Sequence, residues 1–417
     1  MANGEWLMAM VDGWLMKRIL LILAASCMAA AGLNAQERLG SSAASPGYRA
    51  GWTFTPTFGF AETYDDNISL FGRNTAESQN DDYIATYFPS ADLHYTGKHT
   101  RFGTSYSGSF LNYQTFTSLN RWDQRAKIDL RREETARLSW FAHGAAAMLP
   151  STDVIELGGI PFRHTGAKTA DGRGGFEYTF SAHDSISSSV NYQRVEFDRS
   201  PEVRAVLRGG NVVESMNAWR HKFDSRVAIG ADYSYRRANV LGDLESFNIH
   251  TAEGAIDYDL SPSWSFSGGA GAVYLEGTAT TAARSGPAWR MTLERHRGAT
   301  TFHVGYLRSF IPSFGFGGTI QNDEVGLGFH TPLFGSRHFY TDNSVVYRDN
   351  KPLTDVLEQL PLRSLRTYSI VGWEPQGWVR FEAFYARVQQ DSLRAGGQLY
   401  RNRVGFQIVT SKPMRVQ

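Results

Sequence analysis

Two sets of charged residues stand out in this chain by type and spacing. The first is a pair of acidic runs, Asp65-Asp66-Asn67 and Asp81-Asp82. Clustered carboxylates with an amide oxygen form the hard ligand set that a divalent cation such as Ca²⁺ takes. A hairpin joining the two runs would bring the acid pairs together; the alternative is a solvated loop rim. The second set recurs inside alternating segments: Asp232 and Arg236, Arg290 and Glu294, Arg380 and Glu382, and Arg403. Residues two or four apart share one face of a strand. Charges of both signs on a common inner face need water or a partner to solvate them. They predict a hydrophilic lumen, or else internal ion pairs that stiffen or plug a barrel. Arginine exceeds acid among them, which leans toward anionic or polyol-rich solutes.

Catalysis finds little in the sequence. The eleven histidines are scattered, and neither a Gly-x-Ser-x-Gly elbow nor a His-Glu-x-x-His run occurs. His183-Asp184 falls in a tight turn, where capping is the simpler role. His164, His303 and Ser309 are conceivable parts of a barrel hydrolase, but nothing fixes their spacing. We expect no catalytic residues, no cofactor and no dedicated metal centre.

The elements that would carry these charges are strands. In Asp224–Arg237, Val227, Ile229, Ala231, Tyr233 and Tyr235 fall on one parity, and Ala228, Gly230, Asp232, Ser234 and Arg236 on the other. One face is apolar and aromatic; the other is small or charged. That pattern suits a strand with lipid outside and water inside. It recurs from Gly51 to Thr410 as roughly eighteen strands, an even number, joined by short turns at one end and longer loops at the other. Closure into a barrel also removes the two sticky edges so long a sheet would have. The weakest strands are His164–Gly175 and Asn211–Lys222. The predicted fold is an all-β, transmembrane, antiparallel up-and-down barrel of 16–18 strands, with short periplasmic turns and longer extracellular loops.

Composition agrees. Of 417 residues, 42 are Lys or Arg and 41 Asp or Glu, so no charge surplus points to nucleic acid. Aromatics at 13% and 41 glycines against 14 prolines suit curved sheets with interfacial girdles. Mean hydropathy is below zero, as expected when only alternate residues face lipid. At the N-terminus, Lys17-Arg18, an apolar run from Ile19, and Leu33-Asn34-Ala35 read as a secretory signal peptide. The alternatives are a buried or spanning helix, or a lipoprotein with the lone Cys27 modified. We expect residues 1–35 to be extension and signal, with the true start at Met16. Residues 36–50 read as a lead-in, 51–410 as the barrel and 411–417 as a tail.

The stretch Phe58-Gly59-Phe60-Ala61-Glu62-Thr63-Tyr64-Asp65-Asp66-Asn67-Ile68 resembles the first strand of the porin-2 type of outer-membrane β-barrel, a family associated with exopolysaccharide loci. In that family an aromatic–Asp–Asp–Asn element ends the strand. The chain departs from many such barrels in lacking a terminal aromatic residue, since its last is Phe406. The resemblance implies an outer-membrane role in polysaccharide export or solute passage. The expected partners are outer-membrane lipid and lipopolysaccharide, the barrel-assembly machinery and polysaccharide export components. Two other functions stay open: a non-conducting barrel that binds a partner through loops 72–81, 150–163 or 350–361, and a lipid-modifying enzyme.

Overall fold

Alternation at period two is a local property, and it forms strands along nearly the whole described chain. The computed structural model describes residues 50–68, 81–150, 166–197, 209–240, 246–278, 281–314, 318–353, 362–392 and 398–416. The segments expected as signal peptide and, but for residue 50, as lead-in, and most of the three candidate binding loops, lie outside these residues. The strands are β1 (Gly51–Asp65), β2 (Asp82–Thr96), β3 (Thr100–Tyr113), β4 (Arg121–Glu133), β5 (Leu138–Pro150) and β6 (Gly166–Thr179). There follow β7 (Asp184–Phe197), β8 (Gly210–Lys222), β9 (Val227–Asn239), β10 (Phe247–Ser261), β11 (Trp264–Leu275) and β12 (Arg284–Arg297). The last are β13 (Thr300–Pro312), β14 (Thr319–Pro332), β15 (Phe339–Pro352), β16 (Leu362–Gln376), β17 (Val379–Ser392), β18 (Gln398–Ser411) and the short β19 (Met414–Val416). From β1 to β18 each strand pairs antiparallel with the next, and β1 pairs with β18, so eighteen strands close into one barrel. Among the described residues no helix is long and apolar enough to cross a membrane; strands do the crossing.

The two faces separate as the alternation requires. On β9, Ile229 and Tyr233 are exposed on the outer face, while Asp232 and Arg236 point inward to ion-pair partners. Near the short turns the outer face carries an aromatic girdle. Trp52 packs on Tyr95 at 5.0 Å between ring centroids, Phe339 on Trp373 at 5.9 Å, and Trp373 on Phe381 at 5.4 Å. A second girdle lies near the longer loops, with Phe60 against Tyr87 and Tyr64 against Tyr83, both at 5.2 Å. Two aromatic belts around an apolar band are the pattern of a barrel seated in a bilayer. β6 and β8 form as regular strands although their alternation is faint. On β6 the contrast is glycine outward against Asp171 and Arg173 inward, which carries little hydropathy signal.

The barrel closes at a seam between its first and last strands. β1 and β18 pair from Thr57↔Ser411 to Asp65↔Arg403, and β19 continues the same line from Phe54↔Met414 to Trp52↔Val416. Pro413, which has no backbone N–H to donate, interrupts the two stretches. Pairing therefore runs past residue 410 into the segment expected as a tail.

The short turns are capped by side chains. Asp224 accepts the backbone N–H of Arg226 at 2.7 Å and of Val227 at 2.8 Å, and these bonds hold its carboxyl below the usual carboxylate range. A depressed folded value means the contribution is present at neutral pH and is lost as pH falls through the carboxylate range, from about pH 5 downward. We expect Asp224→Ala to be less stable than the parent at pH 7, with a smaller difference between the two at pH 3. Urea unfolding of the refolded barrel at the two pH values reads the difference.

Candidate functional site

The inner wall is built by strands that each present alternate residues to the lumen. Its most connected point lies where β8, β9, β10 and β12 meet. Asp232 on β9 and Glu253 on β10 stand directly opposite one another. Like charges so placed repel, and two arginines compensate them. Arg220 from β8 donates through Nη2 to Asp232 at 2.9 Å and lies 3.3 Å from Asp257. Arg290 from β12 donates to Asp232 at 2.7 Å and approaches Glu253 at 3.5 Å. Arg290 reaches across β11 because its partner there is Gly269. A Cβ on Gly269 would lie 2.6 Å from the Glu253 carboxylate and 3.3 Å from Arg290 Nη2. We expect Gly269→Val to push these groups apart and to destabilise the barrel by about 1–3 kcal/mol, the usual effect of overpacking. Urea unfolding of the variant checks this.

The other sequence-predicted lumen residues fall on the inner face but do not form one site. Arg236 pairs with Glu214 at 2.5 Å near the outer end. Glu294 lies 3.3 Å from His296, one inner step away, and has no contact with Arg290. Arg380 lies 3.1 Å from Glu382, whose carboxylate also accepts from the Tyr340 hydroxyl and the Gln407 amide. Tyr340 reaches Glu382 over Gly372 as Arg290 does over Gly269. Arg403 stands opposite Asp65 across the seam, but Asp65 is taken by Arg401. His183 and Asp184, considered in the sequence, bond to turn and wall groups. His183 bonds the Lys222 carbonyl at 2.8 Å, and Asp184 bonds His221 at 2.8 Å. His303 and Ser309 are six residues apart on β13, about 20 Å along a strand, and His164 lies outside the described residues.

The acidic rim, read from the sequence as a cation site or a solvated loop rim, is joined to the rest of the wall by hydrogen bonds. The hairpin does place Asp65 opposite Asp82. Asp65 is fully buried and accepts the Arg401 Nε–H at 2.8 Å and the Asn67 backbone N–H at 3.1 Å. Asp66 accepts the backbone and side-chain N–H groups of Asn402, each at 2.6 Å. The Asn67 amide donates to the Tyr400 carbonyl at 2.7 Å. Asp82 accepts the backbone N–H groups of Thr115 and Phe116, each at 2.9 Å, and Asp81 accepts the Tyr64 hydroxyl at 3.2 Å. These oxygens are committed to the seam and to the β3–β4 connection. Among the described residues no group of three or more ligating side chains is placed to hold a metal.

Sequence reasoning missed two features. The first is the inner face of β4, which reads Arg121, Asp123, Arg125, Lys127, Asp129, Arg131, Glu133 without interruption, while Trp122 and Ile128 are exposed outward. Its alternation was legible as charge rather than as hydropathy. From this strip Asp129 meets His143 at 2.7 Å, and His143 lies 3.3 Å from Asp171, linking β4, β5 and β6. The second is an apolar cluster inside the outer end of the barrel, where Phe247, Val273 and Leu275 are fully buried on the inner faces of β10 and β11. A uniformly wet interior does not accommodate it. The available signal was that the inward parity itself turns apolar at those outer strand ends, Phe247 and Ile249 on β10 and Val273 and Leu275 on β11.

A closed antiparallel barrel, apolar and girdled outside and charged inside, defines the class: an outer-membrane β-barrel of porin-like architecture. No family model matches the chain, and no curated protein matches it. Solved structures with a similar fold include OccAB4 of Acinetobacter baumannii, with 10% identity and a TM-score of 0.48 over 89% of this chain and 100% of that one. OccAB3 of the same organism shares 8% identity with a TM-score of 0.46, over 87% of this chain and 99% of that one. A BenF-like porin from Pseudomonas fluorescens shares 11% with a TM-score of 0.43, over 88% and 99%.

Proposed function

We propose that this protein is an outer-membrane channel through which small hydrophilic solutes pass passively. The observation that carries the reading is the inner wall, where the β4 strip and the Arg220–Asp232–Glu253–Arg290 cluster line the barrel with charge of both signs. Such a surface is solvated by water in a lumen and would be expensive to bury dry. Ion conduction across a planar bilayer by the refolded full chain tests it. Discrete conductance steps are the expected result, and a correctly folded barrel that passes no current would remove the channel reading.

A second reading is a non-conducting barrel whose loops bind a surface partner. The dry apolar cluster at the outer end favours it. Deleting one long loop separates the two, since a channel changes its conductance and a docking barrel loses its partner. A narrower form of the first reading makes the channel an accessory of exopolysaccharide export. Its support is the likeness of the first strand to exopolysaccharide-associated barrels. Its test is the amount of surface polysaccharide in cells lacking the protein.

A further inference from the structure

The outer ends of β13, β14 and β15 leave the cylinder. Pairing between β12 and β13 stops at Trp289↔Arg308. Two steps further the facing residues would be Pro287 and Phe310, and proline has no N–H for the ladder. β13 and β14 stay paired to Pro312↔Thr319, and β14 and β15 to Ile320↔Pro352, so the three ends move together. By alternation Phe310 belongs to the outward set with Val304 and Tyr306. Instead it is buried, together with Phe314 and Leu353, against the inner-face residues Phe247, Ile249, Val273 and Leu275. The outward face of β13 can meet the inward face of β10 and β11 only if the strand end has turned into the lumen.

A polar contact holds this turned end to the wall. Arg236 on β9 donates through Nη1 to the Phe310 carbonyl at 3.2 Å, and its Nη2 lies 2.5 Å from Glu214 on β8. Glu214 is 9% exposed and directly opposite Arg236 in the sheet. One guanidinium therefore ties two wall strands to the backbone of the inward-turned segment, using the forked donors that lysine lacks.

We propose that the outer ends of β13–β15 form an inward tongue that sets the size limit for solutes entering from outside, with Arg236 as its positioning residue. This inference rests on the channel reading. Solutes pass beside the tongue, and Phe310 and Phe314 narrow the way by packing on the opposite inner wall. Arg236→Met keeps the stem length and removes both donors. Phe314→Ser removes apolar contact from the tongue itself.

The test uses the refolded full chain in planar bilayers, with polyethylene glycols of graded size as molecular rulers, and hydrogen exchange at the Phe310 and Ile311 amides. Arg236→Met and Phe314→Ser should each give a larger conductance step and admit larger polymers than the parent. Arg236→Met should also speed exchange at Phe310 and Ile311, and Arg236→Lys should restore part of the parent size limit. Folded variants with an unchanged polymer limit and unchanged exchange overturn the tongue. If no form conducts, the channel reading fails and the size limit fails with it. Exchange then still reports whether Arg236 positions the segment.

Discussion

Asp65→Ala should destabilise the barrel by about 3–5 kcal/mol, the range for breaking a buried ion pair by removing one partner. Asp65 is wholly inaccessible to solvent, and its carboxylate takes the Arg401 Nε–H at both oxygens, 2.8 and 3.1 Å. Removing it takes away the carboxylate that the Arg401 guanidinium meets at the outer end of the seam. Asp65→Asn should fall only slightly short of this, because an amide keeps the shape but loses the charge. Arg401→Met should lose less than Asp65→Ala, since Asp65 retains the Asn67 backbone N–H. The double variant should be more stable than the sum of the two single losses implies, because the uncompensated charge is then gone. Urea midpoints of the refolded barrel, with the migration of unboiled protein on gels as a check of closure, give all four values. Equal midpoints for parent and Asp65→Ala would mean that the seam does not depend on this pair.

The second large effect concerns the lumen rather than stability. Asp232→Ala removes one negative charge and frees Arg220 and Arg290 from the carboxylate they share. A unit charge acting over about 4–8 Å of water is worth about 0.5–1 kcal/mol, or a two- to fivefold change in the anion-to-cation permeability ratio. The direction is toward anions. The reversal potential across a salt gradient measures it. Glu62→Ala is the control, because Glu62 carries the same charge but sits on the outer parity of β1. Equal shifts in the two variants would mean that the current does not run along this inner wall.

The barrel was legible because each strand states its two faces locally. Val227, Ile229 and Tyr233 against Asp232 and Arg236 need no distant residue to declare which side meets lipid. The short turns and longer loops repeat often enough to make closure the simplest solution to the edge problem. The inward residues were assigned by parity, since a period of two leaves only two choices. The strand β4 was legible, but its inward strip of charge was not singled out, because its alternation is written in charge, with Ala126 and Gln124 diluting the apolar side.

What each inward or rim residue does lay beyond the sequence. Asp65 and Arg401 are 336 positions apart, and only the closing register brings them together. The acid cluster looked like a ligand set because spacing along the chain records proximity within a hairpin, not the partner that arrives from the far end. Arg290 and Asp232 meet across two intervening strands because a glycine leaves room at Gly269, and such a gap is visible only once register is fixed. Phe310 obeys its local parity and still ends inside, because strands stripped of a neighbour can bend as a unit. Local alternation thus determined the strands, their two faces and the closed barrel. Register and the bending of whole strand ends decided which charges pair and which apolar side chains end inside, because both depend on contacts between segments that no short stretch of chain encodes.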